Sequence, residues 1–162
     1  MSMDIKENNN IKATSGNSIS DNGPGCEIVD AYCFGKHDKE REGGVGAFSV
    51  TLILSGVREH FTEAYKTEMD TINLKVLAMT EVFKLCFERE IKQLNLYYDD
   101  ERLKNWCVGM LESNSLNLHN LKTQYDKFKN FGEVNFIKVN GQQPDYYRGT
   151  IKRTMESIYR VR

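Results

Sequence analysis

The sequence predicts a mixed α/β domain, with a five-stranded sheet of three antiparallel strands followed by two parallel ones, flanked by helices. Two observations indicate this class. Apolar and polar residues alternate along the first part of the folded region, whereas apolar residues recur every three or four positions after residue 70. Strands and helices then alternate, and a strand–helix–strand unit gives a parallel pair with a right-handed crossover.

The three antiparallel strands are expected before any helix. Residues 26–34 alternate partially and predict the first strand, and the glycines and charges of residues 35–44 predict a turn. Residues 45–54, rich in Phe, Val, Thr and Ile, predict the second strand. A Ser-Gly turn signal precedes a third strand over residues 58–66. A meander is the simplest arrangement of these three strands.

The first helix is expected to begin at an N-cap, Asp70 or Thr71, and to end near Arg89. Its apolar stripe consists of Ile72, Val76, Met79, Phe83 and Phe87. A short strand over residues 94–98 follows. The acidic residues 99–101 suit a helix N-terminus and predict a second helix that extends to Leu111.

The last part of the chain predicts a third helix, a fifth strand over residues 134–139 and a final helix. The third helix carries the apolar stripe Leu118, Leu121, Tyr125 and Phe128. Pro144 suits the first turn of the final helix. Its expected buried stripe is Tyr147, Ile151, Met155, Ile158 and Tyr159. Residues 1–25, rich in Asn, Ser, Gly and Asp, predict a disordered tail, so that the domain is expected over residues 26–162.

Charge and cysteine content narrow the class of protein. The net charge is -1, whereas a dedicated nucleic-acid binder usually carries a basic excess, so strong non-specific binding is not expected. The four cysteines have no zinc-site spacing and predict free, mostly buried thiols in a reducing compartment. No stretch is long and apolar enough to span a bilayer, and no signal peptide is visible. A cytoplasmic location is expected, with the nucleus as the alternative.

Four segments carry a resemblance to a known family. Residues 29–33 place an Asp in the first strand, and residues 43–47 form a glycine-rich entry into the second. Residues 96–106 combine a double Tyr, an Asp and a Trp, and residues 134–139 form the last strand. In this order they resemble ribonuclease H of type 1, over residues 27–158. The third segment is most similar to the bacterial branch related to viroplasmin proteins.

The resemblance implies an RNase H-like fold and a particular chemistry. The family hydrolyses the RNA strand of an RNA–DNA hybrid with two divalent ions, which stabilise the attacking and leaving oxygens. Four acidic side chains hold the ions, one each on the first strand, the first helix, the end of the fourth strand and the last helix. By this resemblance Asp30 and Asp99 match the first-strand and fourth-strand carboxylates. Asn73, Lys138 and Arg148 would be nucleic-acid contacts.

The sequence departs from the family at the other two ligand positions. The first-helix Glu falls at Lys75, or at Val76 if the register slips by one residue. The final Asp falls near Thr150 or Lys152, and residues 140–144 contain no His to move protons. Like charges repel strongly in a poorly hydrated site. The hypothesis is therefore that a Lys ammonium, from Lys75 or Lys152, replaces a metal ion and neutralises Asp30 and Asp99.

The favoured interpretation is a catalytically degenerate RNase H-like protein that binds nucleic acid (an RNA–DNA hybrid or RNA) or a protein partner, without a cofactor and without a membrane. The alternative is an active ribonuclease H, dependent on Mg²⁺ or Mn²⁺, in which Glu68, Asp70 or Asp145 completes a rearranged carboxylate set. A third interpretation is an unrelated α/β interaction domain. A basic groove would favour nucleic acid, and a large exposed apolar patch would favour a protein partner.

Overall fold

The structure is a computed structural model that describes residues 27–39 and 43–139. An antiparallel meander comes first in this part of the chain, and helices alternate with strands after it. The elements, in chain order, are β1 (Ile28–Asp38), β2 (Val45–Leu54), β3 (Val57–Lys66), α1 (Thr71–Glu88), β4 (Gln93–Tyr98), α2 (Glu101–Cys107), α3 (Leu116–Lys129) and β5 (Glu133–Lys138).

The five strands form one sheet in the order β3-β2-β1-β4-β5. β2 pairs antiparallel with β1 and β3, whereas β4 pairs parallel with β1 and β5. The predicted fold class, three antiparallel strands followed by two parallel ones with flanking helices, is thereby confirmed. The expected tail and the helix expected from Pro144 lie outside the described residues.

The main core lies between the sheet and the helices. α1 packs against β1 and β2, and α3 packs against α1. The side chains of α1 that point to the sheet are apolar, and Leu74, Met79 and Phe83 are completely buried. A second, smaller apolar cluster is built from Phe34, Val45 and Ala47. Asp70 is the N-cap of α1, where its side chain accepts a hydrogen bond from the Asn73 amide.

Two element boundaries differ from the sequence prediction by four residues, the end of β1 and the end of α2. β1 continues to Asp38 instead of ending at residue 34, because residues 35–38 pair with residues 45–48 of β2. α2 ends at Cys107 instead of Leu111. Its C-terminal turn is closed by Gly109, whose φ of 86° lies in the left-handed region that glycine adopts freely.

The described cysteines Cys33, Cys86 and Cys107 are free and buried, as expected. Cys26 lies outside the described residues. No helix among residues 27–39 and 43–139 is long and apolar enough to cross a membrane.

Candidate functional site

An ion pair lies where α1 meets the end of β4. Asp99 directly follows the last residue of β4, and Lys75 lies in the second turn of α1. The Lys75 Nζ atom is 3.0 Å from Asp99 Oδ1, and the two side chains are 15% and 5% exposed. Water screens this pair weakly because both groups are largely buried. The Lys75 ammonium therefore neutralises the Asp99 carboxylate.

β1 approaches the same place through Gly35. A Cβ atom at Gly35 would lie 2.8 Å from the backbone nitrogen of Lys75, so only glycine lets the strand pass this close to α1. In the parallel register Tyr32 is opposite Tyr97. Continuing that register by two residues pairs Phe34 with Asp99, and Phe34 is completely buried. In the continued register the β1 position opposite Asp99 is therefore apolar, and the Phe34 ring packs with Val45 and Ala47.

The thiol of Cys33 lies in the same neighbourhood. Burial raises the pKa of the Cys33 thiol, and the nearby Asp99 carboxylate raises it further. The thiol is 3.6 Å from the backbone oxygen of Tyr97, to which it donates a weak hydrogen bond. A neutral buried thiol is a poor nucleophile and metal ligand, so Cys33 has a packing role here.

Asp30 lies at a different level of the sheet. It is paired in register with Asn95, and the Asn95 Nδ2 amide donates to Asp30 Oδ1 over 3.0 Å. Asn135 on β5 donates in turn to Asn95 Oδ1 over 3.3 Å. Asn95 precedes Asp99 by four residues, a distance of about 13 Å along a strand. The two carboxylates are therefore not brought together, and the Lys75 ammonium is paired with Asp99.

The remaining predicted residues serve other purposes or fall outside the described range. The Asn73 side chain donates to the capping Asp70 carboxylate over 2.8 Å. Glu68 and Lys138 are exposed, Lys138 at the end of β5. The residues that lie outside the described range are Asp145, Arg148, Thr150 and Lys152.

The two acidic residues that precede α2, Asp99 and Asp100, have different partners. Asp99 is held by Lys75, whereas Asp100 is the N-cap of α2 and binds Arg102. Hydrogen bonding from the Arg102 side chain lowers the pKa of Asp100. Asp100 is therefore explained by local helix capping and does not add a second carboxylate to the Lys75–Asp99 site.

A divalent metal ion does not fit these residues. Mg²⁺ takes oxygen ligands, usually one or two carboxylates with several waters. Where α1 meets the end of β4, the described residues offer the Asp99 carboxylate, which is already paired with the Lys75 ammonium. Among residues 27–39 and 43–139, no group of three or more His, Cys, Asp or Glu side chains is placed to hold a metal.

Sequence reasoning missed Phe34 and Gly35. It assigned Gly35 to a turn because glycine and charged residues follow it. The available signal was the continued alternation across residues 29–34, which already places Phe34 on the same face as Tyr32. Which residue of β1 faces Asp99 depends on the parallel register, and that register is set by packing between distant segments.

No family model and no curated protein matches the sequence. Solved structures do match the fold. RNase H1 from the archaeon Halobacterium salinarum superposes with a TM-score of 0.65 and 12% identity, over 80% of this chain and 98% of that one. An N-terminal RNase H domain from Mycobacterium tuberculosis gives 0.66 and 9%, over 83% and 98%. LC11-RNase H1, solved in complex with an RNA/DNA hybrid, gives 0.64 and 9%, over 81% and 99%.

These likenesses define the class of the domain as RNase H-like. At 9–12% identity they establish the fold alone. The similarity to the viroplasmin-related branch stays a prediction.

Proposed function

We propose that this protein is a catalytically inactive RNase H-like module. The observation that carries the proposal is the 3.0 Å ion pair between Lys75 Nζ and Asp99 Oδ1, buried at the convergence of α1, β1 and β4. The Lys75 ammonium supplies the positive charge that a bound metal cation would otherwise supply to the Asp99 carboxylate. A metal ion entering would meet the repulsion of Lys75 in a poorly screened environment.

Phe34 supports the same conclusion independently. It lies opposite Asp99 in the continued register and is completely buried in a cluster with Val45 and Ala47, so this position of β1 supplies no ligand oxygen. Mg²⁺ usually keeps several of its waters and is costly to strip of them. Catalysis by two metal ions needs both ions held by oxygen ligands, and Phe34 supplies none at its position of β1.

Cleavage of a labelled RNA–DNA hybrid tests the proposal directly. We expect no product from the full chain with Mg²⁺ or with Mn²⁺, because the carboxylate set is incomplete. Asp99→Asn and Asp30→Asn are the matched controls. Asp99→Asn removes the buried carboxylate, and Asp30→Asn removes the carboxylate that accepts a hydrogen bond from Asn95. Cleavage that disappears in Asp99→Asn would overturn the proposal and establish an active enzyme.

The active alternative has less support among the described residues. Asp70 is engaged as the N-cap of α1, where it accepts hydrogen bonds from both nitrogens of Asn73. Glu68 is exposed, and Asp145 lies outside the described range. If the alternative held, Mg²⁺ or Mn²⁺ would be required and cleavage would fall in Asp70→Asn. The inactive module needs no cofactor.

Binding of nucleic acid without cleavage is a second candidate. It is favoured by the likeness to LC11-RNase H1, which was solved in complex with an RNA/DNA hybrid. Fluorescence anisotropy with a labelled hybrid at low and at physiological salt measures it. Binding through phosphates should weaken with salt and in Lys138→Glu. A signal unchanged by both would exclude phosphate contact at the end of β5.

A further inference from the structure

A group of exposed apolar side chains surrounds the connection between α2 and α3. Six large apolar side chains are exposed in the described residues, and four of them lie within residues 108–116. These four, called here the α2–α3 patch, are Val108 (38% exposed), Met110 (73%), Leu111 (40%) and Leu116 (71%). Single exposed apolar residues are ordinary, but four of them within residues 108–116 favour an interaction surface.

The backbone of the connection is held in place by hydrogen bonds. The amides of Met110 and Leu111 both donate to the backbone oxygen of Asn105, over 2.8 and 3.2 Å. The amide of Ser115 donates to the Ser113 hydroxyl over 3.0 Å. The apolar side chains are therefore presented by an ordered backbone, which reduces the conformational entropy lost when a partner binds.

A cavity of about 170 Å³ opens beside the patch. Its apolar walls come from Trp106, Leu111 and Leu118. Its polar lining includes Glu112, His119 and Lys122. An apolar cavity of about 150 Å³ accepts benzene in another protein, so this one has room for one bulky apolar side chain.

The charges at the cavity favour a cationic partner. Lys122 Nζ donates to the Asp126 carboxylate over 2.9 Å and lies 5.5 Å from the centre of the Tyr125 ring. Glu112 is exposed and has no ion pair in the part of the chain described. The net uncompensated charge at the cavity is therefore negative, which repels phosphates and attracts Lys or Arg.

The same charge disfavours a symmetric pair of copies. In a two-fold interface the same surface meets itself. Pairing two α2–α3 patches would bring Glu112 of one copy towards Glu112 of the other. Like charges juxtaposed across an interface cost several kcal/mol, whereas a different protein can supply the missing cation.

We propose that the α2–α3 patch binds a segment of another protein, which inserts one bulky apolar side chain into the cavity and places a Lys or Arg against Glu112. Docking at the α2–α3 patch goes beyond the proposed loss of catalysis. It does not depend on whether the protein cleaves an RNA–DNA hybrid, so the docking proposal and the inactivity proposal can fail separately.

Selection from a displayed library of random dodecapeptides, with the full chain as bait, tests the docking proposal. We expect enriched peptides that combine a bulky apolar residue with a neighbouring Lys or Arg. Their affinity should fall at least tenfold, or about 1.4 kcal/mol, for Leu116→Ser. It should be unchanged for Ile28→Ser, which alters an exposed apolar residue outside the patch. Glu112→Lys should redirect the selection to acidic peptides.

These variants are all at exposed positions, and circular dichroism verifies that each one folds. Failure to enrich any peptide overturns the proposal, as does enrichment that ignores Leu116→Ser or Glu112→Lys. Sedimentation that shows a dimer dissolved by Leu116→Ser would assign the patch to a second copy. Competition of the peptides by an RNA–DNA hybrid would assign it to nucleic acid. Either result also overturns the proposal.

Discussion

Asp99 and Asp30 lie near opposite ends of neighbouring parallel strands, and each meets a different kind of partner. Asp99 is 5% exposed and is paired with the Lys75 ammonium at 3.0 Å. Asp30 is partly exposed and accepts a hydrogen bond from the neutral amide of Asn95. The charge of Asp99 is balanced by an ammonium in a largely buried environment. The charge of Asp30 is stabilised by solvent and by the hydrogen bond from the Asn95 amide.

The comparison separates two uses of a carboxylate that look alike in sequence. A buried charge is tolerated only when it is paired, so Lys75 and Asp99 depend strongly on each other. A carboxylate near solvent can lose its charge and keep its hydrogen bond. The end of β4 therefore carries a buried ion pair, whereas the start of β1 carries a partly exposed carboxylate that is hydrogen-bonded to neutral amides.

Lys75→Met should have the largest effect. It removes the ammonium that lies 3.0 Å from the Asp99 carboxylate, and removal of one partner from a buried pair costs about 3–5 kcal/mol of unfolding free energy. Urea unfolding followed by circular dichroism measures the change. The double variant Lys75→Met/Asp99→Leu removes both charges and should recover most of the loss. A single variant as stable as the unmodified protein would show that the pair is screened by water.

Gly35→Ala should have the next largest effect. The new Cβ would meet the backbone nitrogen of Lys75 at 2.8 Å, so β1 and α1 must separate. Overpacking of this kind costs about 1–3 kcal/mol. Urea unfolding measures the loss, which should be less than additive when combined with Lys75→Met because both changes act on one contact. Full additivity of the two losses would contradict the shared site.

Asp30→Asn should have a small effect, in contrast to Asp99→Asn. The amide oxygen of the asparagine introduced at this position can still accept from Asn95, so the loss of unfolding free energy should be below about 1 kcal/mol. Asp99→Asn leaves the Lys75 ammonium without its carboxylate and should cost several times more. Equal losses in the two variants, measured by the same urea titration, would remove the distinction between the two ends.

Asp100→Asn should have the smallest effect, and a pH-dependent one. Asparagine still caps α2, so only the charge interaction with Arg102 is lost, worth about 0.5 kcal/mol. Because folding lowers the pKa of Asp100 from 3.8, its contribution is present above that value and is lost as the pH falls through the lowered pKa. Urea unfolding at pH 7 and at progressively more acidic pH should show that the stability difference between the two proteins is present at pH 7 and shrinks as Asp100 becomes protonated.

The order and type of the elements follow from local signals in the sequence. A run rich in Phe, Val, Thr and Ile marks β2, the stripe from Ile72 to Phe87 marks α1, and Asp70 marks its beginning. The prediction errors fall at element boundaries, because a glycine can indicate either a turn or a close contact within a strand. Gly35 resembles a turn residue, yet it lies within β1 because contact with α1 leaves no room for a Cβ.

The candidate site was predicted less completely, because it depends on contacts between distant segments. The substitution at Lys75 is visible in the sequence because the helical register is local, and the structure places this residue beside Asp99. The choice of Asp30 rested on the resemblance of residues 29–33 to a family segment that places an Asp in the first strand. When the parallel pairing of β1 with β4 is continued by two residues, Phe34 and not Asp30 lies opposite Asp99, and no local pattern encodes that register.

Titration calorimetry with Mn²⁺ tests the central claim most directly, because Mn²⁺ takes the same oxygen ligands as Mg²⁺. The account predicts no saturable heat at millimolar Mn²⁺ in the full chain, since the Lys75 ammonium already neutralises Asp99. Saturable binding that is lost in Asp99→Asn would contradict the account. It would mean that Lys75 yields to a metal ion and that the site is open to catalysis.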